Sequence, residues 1–372
     1  MTKSILLNNQ YLIFKQKLLE WHFKENQRMM PWKGIKDVYK IWLSEIILQQ
    51  TRVEQGLSYY EKFVKTYPTV EDLANASEMD VMKLWEGLGY YSRCKNLHAT
   101  AKFIVNERKS KFPDTYEELL GLKGVGPYTA SAIASFAYKI PKPVIDGNVV
   151  RVLTRYFGIK TAADSAKTKK EIEILAHRCI DTEKPDSYNQ AIMDFGATVC
   201  KPANPSCNIC CIKKECYARK KNLTDVLPVF NKKVTKKNRW FLFVILKNSN
   251  KKIAVLQRPS GDIWSGLFNF PHVEFQTKKE WINGVENLAQ SSITGLNQLP
   301  KVISTSKSNN ADQIYIQQLT HQKIHAKTII IHYGNQYKAA PSIQWVDIYQ
   351  LQQLPFPKLI RDIISKEFSL SK

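Results

Sequence analysis

Four cysteines, Cys200, Cys207, Cys210 and Cys216, fall inside CKPANPSCNICCIKKEC, separated by six, two and five residues. Four thiolates in so short a loop can wrap one compact inorganic centre, and all-sulfur ligation suits either an iron–sulfur cluster or zinc. Zinc sites more often carry two CxxC knuckles, and here only Cys207 and Cys210 form one. Cys94 and Cys179 stand apart in the chain. The N-terminal text has no apolar core long enough for a signal peptide, and the longest clean apolar run, FLFVIL at 241–246, is strand-sized. A soluble protein of the reducing cytoplasm is expected, nucleoid-associated in a bacterium, where such a cysteine cluster reads as metal-binding rather than disulfide-forming.

Two carboxylates could do further chemistry. IWLSEIILQQT at 41–51 sets one acid, Glu45, in a helix-period apolar run with Trp42, Leu43, Ile46, Ile47 and Leu48. A buried carboxylate is costly unless paired or protonated, so Glu45 either faces solvent or is kept to hold a proton. PVIDGNVVRVLTRYF places Asp146 just before a helix that starts near Asn148. Amide donors and the helix dipole favour an anion there, although a plain helix cap would look the same. One carboxyl that keeps its proton and one that does not suit cleavage of a glycosidic bond. The leaving group there needs a proton, and the sugar passes through an oxocarbenium-like state.

These groups need a scaffold. From residue 10 to about 216 the pattern is helical nearly throughout, in YLIFKQKLLEWHF, VYKIWLSEIILQQ, SRCKNLHATAKFIV, TASAIASFAY, VVRVLTRYF and KKEIEILAHRCI. GLGYYS and GVGP break it with turns. EELLGLKGVGPYTASAIASF reads as a helix, a glycine hairpin at Gly124 and Gly126, and a second helix. Such a hairpin is either a tight turn between packed helices or a cradle in which glycines and helix-end amides approach a phosphate.

Residues 217–239 change to a basic linker with eight Lys or Arg against one acid. Residues 240–372 then read as an α+β domain, with two strands in RWFLFVILKNSNKKIAVLQRPSG, further strand text in KTIIIHYGNQYKAAPSIQWVDI, and helices at 278–290 and 357–367. The expected organisation is therefore a helical region 1–216, the linker, and the α+β domain. A net charge of +22 on 372 residues, with 44% hydrophobic content, excludes disorder and points to a polyanionic partner, nucleic acid before an anionic membrane surface. A generic basic protein has the same composition.

The strings IWLSEIILQQTRVEQ, WEGLGYYSRCKNLH, LKGVGPYTASAIASFA, VIDGNVVRVL, NQAIMDFGATVC and the cysteine loop, in that order over residues 28–216, resemble the adenine DNA glycosylases of the MutY family. The cysteine spacing is similar to the 4Fe-4S loop of the endonuclease III and MutY group, and LKGVGPYTA to its helix-hairpin-helix. The resemblance implies a six-helix barrel with an iron–sulfur cluster domain and a Nudix-like C-terminal domain. It implies a monomer that flips adenine out of 8-oxoguanine:adenine mispairs, and leaves open whether G:A is also a substrate. By it, Glu45 protonates adenine at N7, Asp146 stabilises or transiently bonds the sugar C1′, Tyr128 and Asn148 orient these acids, and Asp194 supports them. Gln50, Thr51, Leu88 and Tyr90 would wedge into the duplex, Arg28, Gly124 and Gly126 would contact DNA, and Lys201, Lys213 and Lys214 would meet phosphates. Cys211 stands where the family has proline and is not counted as a ligand.

Bifunctional relatives carry a lysine two residues after the second glycine, which forms a Schiff base. This chain has Tyr128 there, which implies a glycosylase without strand cleavage. RPSGDIWSGLFNFP is similar to a strand and loop of the family's second domain, and the text after it lacks the clustered glutamates of catalytic Nudix proteins. The family's Phe-Ser-His loop aligns with Leu319-Thr320-His321, which keeps the hydroxyl and imidazole and loses the aromatic ring. An endonuclease III-like glycosylase and lyase, or a DNA-binding protein without catalysis, remain the alternatives.

Overall fold

Apolar residues at helical spacing dominate the first part of the chain, and the structure turns them into packed helices. It is a computed structural model that describes residues 3–231, 235–284, 293–294, 304–306, 313–333 and 342–368. In chain order the first elements are α1 (Lys3–Lys24), α2 (Val38–Leu48), α3 (Val53–Thr66), α4 (Val70–Asn75), α5 (Glu78–Leu84) and α6 (Tyr91–Arg108). They continue as α7 (Tyr116–Leu120), α8 (Pro127–Tyr138), α9 (Gly147–Phe157), α10 (Ala166–Cys179), α11 (Pro185–Thr198) and α12 (Tyr217–Lys220). Then come β1 (Lys237–Asn248), β2 (Ile253–Gln257), β3 (Phe268–Asn269), β4 (His272–Phe275), α13 (Lys278–Ile282) and β5 (Ser304–Ser306). The last are β6 (Tyr315–Gln318), β7 (Gln322–Tyr333), β8 (Ile343–Val346), α14 (Ile348–Gln353) and α15 (Lys358–Glu367).

The chain divides into two units, Met1–Asn75 with Asn96–Lys233, and Ala76–Lys95 with Val234–Lys372. The sequence places residues 76–95 in the helical region, whereas here they group with the second unit. Within that unit Glu86 accepts hydrogen bonds from Arg361 at 2.7 and 3.0 Å and from the Phe356 amide at 2.8 Å.

In the first unit, Phe14, Leu18 and Trp21 of α1 pack with Val152, Leu153 and Tyr156 of α9 and Phe195 of α11. Each such buried side chain contributes about 1.5–3 kcal/mol. Helix α3 was not among the helical stretches read from the sequence, and it carries Gly56 inside VEQGLSYYEKFVKT. A Cβ at Gly56 would lie 2.7 Å from the tip of the Leu48 side chain, which would have to shift to admit it. Helix α9 is bounded by Asp146 as its N-cap and by Gly158 at φ +78, where a Cβ would strike the Tyr217 ring at 2.5 Å.

In the second unit, β1 and β7 pair in parallel, with Trp240 opposite His325. The order is β3-β2-β1-β7-β5, with β4 on β1, β6 on β7 and β8 on β2. The FLFVIL run is buried throughout, as expected of a strand covered on both faces. The two strands read around a polar turn are β1 and β2, and α15 matches the helix expected at 357–367. The helix expected at 278–290 is seen as α13, and residues 285–290 lie outside the described residues, as do 334–341 of the strand text.

The hairpin glycines differ in a testable way. Gly124 has φ +82, and a Cβ there would lie 2.7 Å from the Asn96 Cβ; at Gly126 nothing lies within 4 Å. Gly124→Ala is expected to destabilise by about 2–4 kcal/mol, from left-handed strain plus overpacking, and Gly126→Ala by less than about 1 kcal/mol. Urea unfolding of both variants checks this, and equal losses would contradict it.

Candidate active site

Asp37 caps α2 by accepting from the Tyr39 and Lys40 amides, and the residues from Ile41 to Ile47 are buried. Glu45 is among them, only 6% exposed. Burial pushes its carboxyl up to about 7, the Asp146 charge adds to the rise, and a hydrogen bond from Tyr128 opposes it. Burial, then the Glu45 and Asp146 charges, hold the Tyr128 phenol well above its ordinary value, so it remains a donor. Tyr128 lies in the first turn of α8, directly after the hairpin. Gln49, next to the α2 end, donates to Thr129 Oγ1 at 3.0 Å and to the Gly124 carbonyl at 3.4 Å, which ties the Glu45 helix to that hairpin.

Asp146 uses both carboxyl oxygens. Oδ1 accepts from the Val149 amide and Oδ2 from Asn148 Nδ2, each at 2.7 Å. Asn148 in turn accepts from Arg151 at 2.8 Å, and Arg151 also donates to the carbonyls of Cys200 and Gly196 at 2.8 Å each. A Cβ at Gly196 would lie 2.6 Å from the Asn148 Cβ, so this glycine permits the approach of α11. The segment leading into Asp146 is fixed by buried Asn189, which accepts from the Val144 amide at 3.0 Å and donates to Ser135 and the Lys142 carbonyl.

Asp194 is fully buried, at 0% exposure. It accepts from Asn26 at 2.8 Å, Arg28 at 2.9 Å and Lys33 at 2.6 Å. Three donors, two of them cationic, make it an anchor that presents Arg28 from the loop after α1. Lys33, Gln49, Asn189 and Arg151 were missed by the sequence reading, because no local pattern marks a residue whose partners lie far away in the chain.

Cys200, Cys207, Cys210 and Cys216 line one cavity with Val152, Tyr156, Phe195 and Ile212. Among the described residues no three His, Cys, Asp or Glu side chains are grouped so as to hold a single metal ion. Burial pushes the thiols of Cys207 and Cys216 up and that of Cys210 up to about 12. As bare thiolates in that environment they lack compensation, which a cationic metal centre supplies. Arg155 donates to Cys200 Sγ at 3.5 Å and to the Lys201 and Pro202 carbonyls, so the loop is braced on α9. Four cysteines around one cavity are the donor chemistry a metal–sulfur centre needs, although their side chains are not drawn together around a single ion here. Cys211 packs on the adjacent apolar core.

Of the remaining candidates, Gln50 is exposed with φ +54, and the Thr51 hydroxyl donates to the Gln49 carbonyl at 3.3 Å. In the second unit, Leu88, Tyr90, Thr320 and His321 line one recess with Trp264. The Tyr90 and Thr320 hydroxyls are hydrogen-bonded. Tyr90 is 43% exposed, but Leu88 is only 5% exposed, a position from which wedging would require it to move.

The buried Glu45 has a consequence for stability. Below pH 4.5 the carboxyl is neutral in both folded and unfolded chains, so it changes nothing. Above that, the unfolded chain ionises while the folded one holds its proton to about 7, so the folded state loses stability as pH rises. Glu45→Gln removes this loss and is expected to match the native protein near pH 4 and exceed it by up to about 3 kcal/mol above pH 7. Denaturant unfolding at both ends of that range checks it, and a gap independent of pH would show a solvated carboxylate.

Comparison with known proteins places the fold and the family. A family model described as HhH-GPD superfamily base excision DNA repair protein matches residues 43–177, and one described as NUDIX domain matches residues 242–366. The adenine DNA glycosylase of Buchnera aphidicola subsp. Schizaphis graminum is 32% identical over 357 residues, covering 95% of this chain and 98% of that protein. The human adenine DNA glycosylase is 40% identical over 217 residues, 56% of this chain and 40% of that one. Among solved structures, a thermostable thymine-DNA glycosylase is 28% identical with a TM-score of 0.54, covering 58% of this chain and 99% of that one. An endonuclease III in a non-covalent DNA complex, 18% identical with a TM-score of 0.50, shares the fold. Among the described residues no helix is long and apolar enough to cross a membrane. With a helical glycosylase fold and a Nudix-like domain in one chain, and a match to a curated relative along nearly that protein's whole length, this chain belongs to the adenine DNA glycosylase family of base excision repair, hydrolases of N-glycosyl bonds.

Proposed function

We propose that the chain excises adenine lying opposite 8-oxoguanine in duplex DNA, as a monofunctional glycosylase that leaves an abasic site. The observation that carries this reading is the buried Glu45 carboxyl, held to about 7 beside Tyr128 and the Asp146 carboxylate. At neutral pH such a group still holds a proton in much of the protein and can give it to the departing base. Glu45 protonates adenine at N7, the bond from the base to C1′ breaks, and adenine leaves with the bonding electrons. Asp146 stabilises the cationic sugar or bonds to it transiently. Water then supplies the oxygen at C1′, and its proton restores Glu45. Tyr128 and Asn148 hold the two acids by the hydrogen bonds described, and Asp194 presents Arg28 to the base.

The phenol of Tyr128 cannot form a Schiff base, which disfavours the lyase reading. Cys200, Cys207, Cys210 and Cys216 would hold one 4Fe-4S cluster. When bound, the cluster ties the loop together and takes no part in the bond chemistry. Lys201, Lys213 and Lys214 of that loop meet phosphates, and Gly126, with open space where a Cβ would stand, lets the hairpin backbone approach another. Gln50, Thr51, Leu88, Tyr90, Thr320 and His321 serve lesion recognition. The protein acts as a monomer in the cytoplasm.

An end-labelled duplex with one 8-oxoguanine:A pair, run on a denaturing gel with and without hot alkali, tests the reading. Cleavage at adenine only after alkali is expected, and cleavage without alkali would establish the lyase instead. Asp146→Asn keeps an amide-capping oxygen and loses the charge. It loses the second oxygen, which accepts from Asn148, so it is expected to cost about 1–2 kcal/mol of stability while slowing excision by about 1,000-fold. A rate within a few-fold of native would reduce Asp146 to a helix cap.

A further inference from the structure

The turn after α5 places three positive-φ residues within four positions, close to one arginine. Gly87 and Gly89 have φ of 93° and 78°, and Tyr90, which is not a glycine, has φ 49°. A non-glycine residue keeps that left-handed conformation only where its surroundings dictate it. Here the surroundings converge on Arg93. Its guanidinium lies over the Trp85 ring at 5.1 Å and over the Tyr90 ring at 5.4 Å, so it sits against both aromatic faces. It also donates to the Gly89 carbonyl at 3.3 Å, the same oxygen that accepts from Trp85 Nε1 at 2.9 Å. The Arg93 amide donates to the Tyr90 carbonyl at 2.9 Å, and the Gly87 amide donates to the Tyr91 hydroxyl at 3.1 Å. Trp85 and Arg93 are buried, whereas Tyr90 emerges from this base, its hydroxyl bonded to Thr320.

We infer that Arg93 is a positioning residue for lesion selectivity: its guanidinium, stacked on Trp85, holds Tyr90 in the left-handed turn that presents the phenol ring beside Thr320. This rests on the proposed reading that Tyr90 meets the duplex at 8-oxoguanine. A planar guanidinium can stack on both rings and still reach the Gly89 carbonyl, and a lysine ammonium keeps the charge but not the planar stack. Arg93 itself need not touch DNA.

The test is a double-mutant cycle between Arg93→Lys and Tyr90→Ala in the full-length protein, reading single-turnover excision from 8-oxoguanine:A and G:A duplexes beside the melting temperature. Arg93→Lys is expected to lower the preference for 8-oxoguanine:A by about tenfold. In the Tyr90→Ala background it should change the preference no further, although it lowers the melting temperature in both. Arg93→Gln, whose amide ends about where the arginine Nε stands, loses both the ring stack and the Gly89 hydrogen bond and is expected to lower the preference at least as far; it serves if Arg93→Lys does not fold. If Tyr90→Ala alone leaves the preference unchanged, the lesion reading itself fails. If Tyr90→Ala lowers the preference but the Arg93 variants leave it unchanged, or lower it equally with and without Tyr90, Arg93 is structural only and this inference is overturned.

Discussion

Keeping one carboxyl group out of water constrains much of the first unit. Glu45 lies in a helix whose neighbouring residues are all buried, and that environment favours the neutral acid. The Asp146 carboxylate pushes in the same direction, so its charge helps to keep the proton on Glu45. Tyr128 pulls the other way, and its hydrogen bond keeps the rise from going further. A value of about 7 is the balance of these three effects, and it leaves a proton available at neutral pH.

The same unit holds the partner carboxylate by a relay of hydrogen bonds. The cysteine loop offers its Cys200 carbonyl to Arg151, Arg151 donates to Asn148, and Asn148 donates to Asp146. Arg155 braces the loop from the next turn of α9. Metal-loop folding and acid placement thus share one helix. The buried Asp194 does a similar task for Arg28, using charge pairing where burial alone would be costly. Around these fixed groups a net charge of +22 supplies the non-specific attraction that brings polyanionic DNA to the surface, a force that weakens as salt rises.

Much of this was legible in the sequence because the signals are local. A single acid in a seven-residue buried run, an Asp before Asn148 at a helix start, and four cysteines in one loop each announce themselves by type and spacing. Helices with clean periodicity, such as α1, α2 and α9, were readable for the same reason. What stayed hidden is set by distant contacts. Gly56 meets the Leu48 side chain of the preceding helix. The pairing of Glu86 with Arg361 joins residues 275 positions apart, which no local pattern marks. Lys33, Asn189 and the Arg93 stack depend on partners that no short window contains.

The measurement that tests the account most directly is the pH dependence of single-turnover excision with enzyme in excess over an 8-oxoguanine:A duplex. If Glu45 gives its proton to adenine, the rate falls about tenfold per pH unit above about 7. A rate that stays level well beyond that point would mean that Glu45 does not deliver the proton, and the central claim would fail.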